Sequence, residues 1–388
     1  MQAVILAGGK GARLYPLTSR TPKPMVNLFN KPVLEHTIDL LKQHGIRDII
    51  ITVAYKADQI IDYFGGGSKW GVNIQYSLED IPMGTAGGLR RLQPLLNDTF
   101  LIISGDAVTD FDLKAAVDFH KSKSAIATML LYEVDNPCQF GIVESASDGH
   151  IRRFTEKPSP SETFTNTINT GVYVLEPDVI GYIPYDTACD FSRNVFPRLM
   201  QNQEPFYTYR SEGYWCDVGG LAQYRNVHFD ALTGRVKLAL PAPRVADGMY
   251  VGEDAEIHPS VKLNAPFYVG NGVRVNKGTN LGRFTVVGDM GHVAEGAHIT
   301  QSILGAGAVV GKDAQVSGSV IGSGYKIADG RRIEDEVMVH DVGGEHLQAG
   351  IASELLSHTI SEEHLFTWSG LELARFAAER AATRAIAA

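Results

Sequence analysis

At 388 residues the chain exceeds one typical domain, and two are expected. A hydrophobic content of 44% is ordinary for a soluble protein, and a net charge of −9 argues against a general nucleic-acid binder, which would carry a basic surface. Three cysteines, Cys138, Cys189 and Cys216, are too scattered for a metal site or a disulfide framework and read as reduced thiols. The sequence opens on a strand without a charged and apolar leader, and no apolar run is long enough to span a bilayer. A soluble cytoplasmic protein with no nucleic-acid or membrane partner is therefore expected.

The first strand is the apolar run 3–6, which breaks at Ala7-Gly8-Gly9 and meets a third glycine at Gly11. Glycine lets backbone N–H groups turn toward an anion with no Cβ in the way, and Arg13 and Lys23 add fixed positive charge. A strand, a glycine turn and two cations suit a triphosphate. The Walker pattern G-x-x-x-x-G-K-[ST] is absent, and a dinucleotide fingerprint needs glycine where Leu14 stands. The string G-G-x-G-x-R-L-x-P-L-T followed by P-K-P instead resembles the sugar-1-phosphate nucleotidyltransferases, the sugar-nucleotide pyrophosphorylases. The resemblance implies that Leu6, Ala7, Gly8, Gly9 and Gly11 line the nucleotide and that Arg13 and Lys23 are catalytic.

A helix is predicted over 32–45, with Val33, Leu34, Ile38, Leu40 and Leu41 on its apolar face and Gly45 as its stop. A strand over 48–54, a helix over 57–64, a strand over 72–78, a helix over 85–96 and a strand over 99–104 follow. This alternation means an α/β domain around a Rossmann-like, mixed but mostly parallel sheet, whose sites lie at the carboxyl ends of strands. Gly105-Asp106 ends the fourth strand, and Tyr214-Trp215-Cys216-Asp217 is an aromatic strand end closed by a carboxylate. The resemblance pairs Asp106 and Asp217 on one Mg²⁺, an ion that takes one or two carboxylates plus phosphate oxygens.

The resemblance implies that the loop 79–88 (E-D-I-P-M-G-T-A-G-G) reads the base, with Glu79, Gly84 and Thr85 at the nucleotide. Relatives that use uridine or thymidine triphosphate usually have glutamine in place of Glu79. A carboxylate only accepts hydrogen bonds, and guanine offers two adjacent donors, so Glu79 tilts the reading toward GTP. Asp80 is adjacent and offers the same chemistry. The stretch G-T-A-G resembles the mannose-1-phosphate guanylyltransferases. After a strand over 125–134 come Q-F-G-I-V, F-T-E-K-P and N-T-G-V-Y, which resemble the family's sugar-binding motifs. They imply sugar-phosphate roles for Gly141, Glu156, Lys157 and Asn169. A helix over 190–200, with Phe191, Val195, Phe196 and Leu199 apolar, is read as core packing.

From Val245 to Ile299, branched apolar residues recur every six positions, slip by one at Leu304 and again at Ile321, and continue to Val339. Hexapeptide repeats of this kind resemble a left-handed parallel β-helix, whose coils must stack because one coil cannot bury its own core. The slips are read as corners with a shorter turn. Such β-helices also occur in acyltransferases, but nothing marks His258, His292 or His298 as a catalytic base. The expected division is 1–240 catalytic domain, 241–340 β-helix and 341–388 tail, with a helix over 371–388. Self-association through the β-helix or the tail is expected. The implied reaction joins an NTP to a sugar 1-phosphate with release of pyrophosphate, most closely GTP with mannose 1-phosphate. A uridylyl-, thymidylyl- or adenylyltransferase acting on glucose 1-phosphate, and a non-catalytic sugar-nucleotide-binding homologue, are the alternatives.

Overall fold

The strand Gln2–Leu6 is apolar on both faces, so it is buried on both: Ala3 and Ile5 join one core cluster and Val4 joins the other. In this computed structural model, which describes residues 1–340, 343–351 and 367–373, the chain forms two compact units. The first comprises Met1–Lys10, Pro22–Met25 and Val33–Asp217; the second comprises Gly11–Thr21, Val26–Pro32 and the chain from Val218 onward. Packing therefore assigns two early segments and the helix Leu221–Leu232 to the unit that holds the β-helix.

In the first unit Gln2–Leu6 pairs in parallel with Asp48–Val53 on one side and Phe100–Ser104 on the other, and Asp48–Val53 pairs in parallel with Asn73–Leu78. Thr167–Leu175 joins Phe100–Ser104 antiparallel and extends the sheet toward Gly141–Ser145, Ile151–Glu156 and Ala127–Glu133. This is the mixed, mostly parallel α/β sheet expected. Two expected helices differ in kind. Residues 85–96 form a helical turn Gly84–Gly87 and a 3₁₀ segment Gly88–Leu95, because Gly87, Gly88 and Pro94 are poor α-helix formers. Residues 190–200 open with a π turn, Phe191–Val195, before the α-helix Phe196–Gln201. Pro197 has no N–H to give, and the wider turn absorbs the missing bond.

The second unit is a β-helix of three parallel ladders. One ladder pairs Ile257, Val275, Val293, Val310 and Ile327 in turn, so coils of eighteen residues give way to coils of seventeen after Val293. That shortening is the phase slip seen in the sequence. On another face Ile321 pairs with Met338, so Met338, rather than Val339, continues the inward column. On the flank Phe229 packs on Phe284 at 4.7 Å, and Arg225, 4% exposed, donates to the Gly318 carbonyl at 2.8 Å. The turn at Phe29-Asn30 docks beside them: Asn30 Nδ2 donates to Asp289 Oδ1 at 2.8 Å, and Phe29 packs on Tyr268 and His228. Of the tail helix predicted over 371–388 only residues 371–373 fall within the described residues. Among those residues no helix is long and apolar enough to cross a membrane.

Leu281 is fully buried in the inward column. Leu281→Ala is expected to cost about 2–5 kcal/mol, against less than about 0.5 kcal/mol for exposed neighbour Lys262→Ala, in chemical denaturation followed by circular dichroism.

Candidate active site

The first unit brings together Gly8, Gly9, Lys23, Asp106 and Asp217. Ala7 N donates to the Thr52 carbonyl, and Gly105 N to the Leu6 carbonyl, so the ends of three adjacent parallel strands share one edge. Leu6 and Ala7 end the central strand, and the chain turns away from the sheet at Gly8-Gly9. A Cβ placed on Gly9 would lie 4.0 Å from Asp106 Oδ2, so the glycine turn and the carboxylate face the same space.

Asp217 is far from Asp106 in sequence, and a short antiparallel ladder joins them. Trp215–Asp217 pairs with Ala107–Thr109, and Asp217 sits opposite Ala107. Trp215 fixes that strand: its indole donates to the Thr170 carbonyl at 3.0 Å, and its ring meets Phe140 edge-on. Lys23, 7% exposed, then closes the arrangement. Its ammonium is 2.7 Å from Asp106 Oδ2 and 2.8 Å from Asp217 Oδ1. Burial acts to lower the Lys23 pKa, yet Asp106 and Asp217 together outweigh it and raise the pKa above the usual lysine value. Ser104 Oγ donates to the other oxygen of Asp106.

Two carboxylates converging on one cation are a donor set that suits a divalent ion whose remaining ligands are phosphate oxygens and water. Among the described residues no cluster of three or more His, Cys, Asp or Glu side chains is arranged to hold a metal.

Gly11 and Arg13 belong to the second unit. Gly11 adopts a left-handed conformation, φ 70°, and caps the 3₁₀ turn Ala12–Leu14, which leaves Arg13 on the surface. Thr18 Oγ1 donates to the Gly11 carbonyl at 2.9 Å and braces the turn.

Glu79 folds onto its own loop. Its Oε2 accepts from Met83 N at 3.2 Å, and its Oε1 lies where a Cβ on Gly88 would stand. Burial raises its pKa, while the Met83 bond and nearby Arg91 oppose the rise. Gly84, at φ +77°, has no room for a side chain, because a Cβ would fall 2.5 Å from the Cys189 carbonyl oxygen. Thr85 donates to Asp190 Oδ2 at 2.8 Å.

The sugar motifs also converge. Glu156 pairs with Gly141 across two strands, and a Cβ on Gly141 would stand 2.8 Å from Glu156 Oε2. Burial raises the Glu156 pKa. Lys157 is exposed, and its backbone N–H donates to the Phe140 carbonyl. Asn169 donates to Tyr173 OH at 3.0 Å and to Ser192 Oγ at 3.4 Å, and its Oδ1 accepts from Gly171 N. Its two N–H groups are thus engaged, and the capacity left for a ligand is an acceptor lone pair. In the β-helix, the exposed His258 bonds Ser260 and the half-buried His292 bonds Asn276.

Sequence reasoning did not single out Ser104, Asp190 or Ser192. Asp190 carried a signal, an acidic N-cap just before an apolar helical run. Its bond to Thr85 joins residues 105 positions apart and has no local signature.

Residues 2–234 match the Nucleotidyl transferase family, and residues 245–346 match the GMPPB C-terminal domain. The chain is 36% identical over 297 residues to the UTP–glucose-1-phosphate uridylyltransferase of Synechocystis, covering 72% of this chain and 76% of that protein. It is 34% identical over 284 residues to the mannose-1-phosphate guanylyltransferase of Mycobacterium tuberculosis, covering 72% of this chain and 78% of that one. The solved structure of a putative glucose-1-phosphate thymidylyltransferase from Bacillus anthracis aligns with a TM-score of 0.54 at 26% identity, covering 59% of this chain and 94% of that one. With a strand-end glycine turn beside a lysine-bridged pair of aspartates, and with these matches across both units, the chain belongs to the sugar-1-phosphate nucleotidyltransferase family.

Proposed function

We propose that the chain makes GDP-mannose and pyrophosphate from GTP and mannose 1-phosphate. The observation that carries the reaction is Lys23 held between Asp106 and Asp217 beside the Gly8-Gly9 turn. A phosphate oxygen of the sugar phosphate bonds to the α-phosphorus of the NTP as the bond from that phosphorus to the bridging oxygen of the departing pyrophosphate breaks. The nucleophile is already an anion at neutral pH, so no general base is required. Catalysis then rests on positioning and charge neutralisation. Lys23 bridges toward the α-phosphate, Arg13 stabilises pyrophosphate, and the N–H groups of Gly8, Gly9 and Gly11 cradle the phosphates. Mg²⁺, bound by Asp106 and Asp217, would supply charge neutralisation at the phosphates. On the sugar side, Lys157 grips the phosphate while Glu156, lying over the Gly141 backbone, and Asn169 accept from hydroxyls.

Guanine is favoured because Glu79 offers only acceptors, and the Mycobacterium tuberculosis relative is a guanylyltransferase. The second reading, UTP with glucose 1-phosphate, has the Synechocystis relative in its favour. The β-helix is the surface proposed for self-association, and the cytoplasm is the proposed compartment.

Pyrophosphate release from the four NTPs against mannose and glucose 1-phosphates should be fastest with GTP and mannose 1-phosphate. It should stop with EDTA and return with Mg²⁺. Turnover highest with UTP and glucose 1-phosphate would replace the first reading by the second. Glu79→Gln should lower the preference for GTP over UTP in kcat/KM by about tenfold or more, the worth of a hydrogen bond to a charged acceptor. Lys23→Met should lower kcat/KM by about 10²–10³-fold with an unchanged far-UV spectrum, since it removes a preorganised cation from the reacting phosphates.

A further inference from the structure

The segment Cys189–Ser192 faces two ways. Toward the nucleotide loop, Cys189 N donates to the Met83 carbonyl at 2.8 Å, and the Cys189 carbonyl accepts from Ala86 N and Gly87 N at 2.9 and 3.0 Å. Asp190 adds a side-chain tie. Its Oδ2 accepts the Thr85 hydroxyl at 2.8 Å, and Thr85 Oγ1 accepts from Phe191 N at 3.0 Å. The other oxygen of Asp190 caps the π turn by accepting from Ser192 N at 2.9 Å and Arg193 N at 3.2 Å. Toward the sugar motifs, Ser192 Oγ accepts from Asn169 Nδ2 at 3.4 Å. That hydroxyl thus helps to aim the Asn169 amide. Phe191, fully packed among Tyr173 and Phe196, keeps the segment from sliding.

We propose that Ser192 is a positioning residue of the sugar subsite, held by a strut that begins at Thr85 in the nucleotide loop and runs through Asp190. A nucleotide that holds the loop at Thr85 in place holds this strut, and with it Asn169, so nucleotide and sugar phosphate bind each other's complex more tightly than the empty protein. The proposal rests on the sugar-binding role given above to Asn169.

The test uses steady-state kinetics and calorimetry on the full chain, with mannose 1-phosphate and, in a second arm, glucose 1-phosphate. Ser192→Ala should raise KM for the sugar phosphate by about fivefold, the loss of a neutral hydrogen bond that aims Asn169, with KM for the NTP within about twofold of wild type. Ser192→Thr, which keeps the hydroxyl, should restore most of the KM. Asp190→Ala should abolish the gain in sugar-phosphate affinity that a non-hydrolysable GTP analogue gives the wild type. The strut is overturned if Ser192→Ala leaves the sugar KM unchanged, if both KM values rise together, or if Asp190→Ala keeps the gain that the GTP analogue gives. If the wild type turns over neither sugar phosphate with any NTP, the reading of the site falls and the strut falls with it.

Discussion

Two carboxylates held on one buried lysine are the constraint around which the first unit is built. Asp106 and Asp217 would repel each other across the ladder that joins their strands. Lys23 removes that repulsion at 2.7 and 2.8 Å from the two. A charge buried to this degree is costly unless fully paired, and Lys23 is paired twice. The arrangement concentrates opposed charges at the carboxyl ends of parallel strands, beside a glycine turn. A polyanionic substrate entering this space meets a cation already positioned and carboxylates that suit a metal.

The rest of the unit keeps this geometry fixed. Trp215 is hydrogen-bonded to one strand and packed on Phe140, so Asp217 inherits the rigidity of the core. Gly84 and Gly141 do related work: each is a place where a side chain would displace a neighbour, Cys189 at one and Glu156 at the other. Both were legible as motif glycines. Their physical reason is close packing of protein on protein, and at Gly141 this leaves the Glu156 carboxylate lying over bare backbone.

The second unit follows a different logic. Each coil buries its inward residues only against the coils above and below, so stability comes from repetition. Asn30 and Phe29, close to the start of the chain, are nonetheless part of this unit, because Asp289, Tyr268 and His228 offer them partners.

The sequence by itself determined much of this protein. Apolar runs bounded by glycine gave the parallel strands, and a six-residue period marked the coils and, by its slips, their shorter turns. Motif strings also marked the glycine turn, the two aspartates and the residues proposed for the sugar side. Such features are local: they depend on spacing within a strand, a turn or a coil. What only the tertiary structure decided is who meets whom across long separations. Lys23 lies between the two aspartates, Glu79 folds back on Met83, and Thr85 reaches Asp190 and, through it, Ser192. The π turn at Phe191–Val195 was hidden for the same reason, since an apolar helical period does not distinguish a wide turn from a regular one. Side chains far apart in sequence become neighbours only when the sheet has set its strand order, and pairing of charge and hydrogen bonds is resolved at that point.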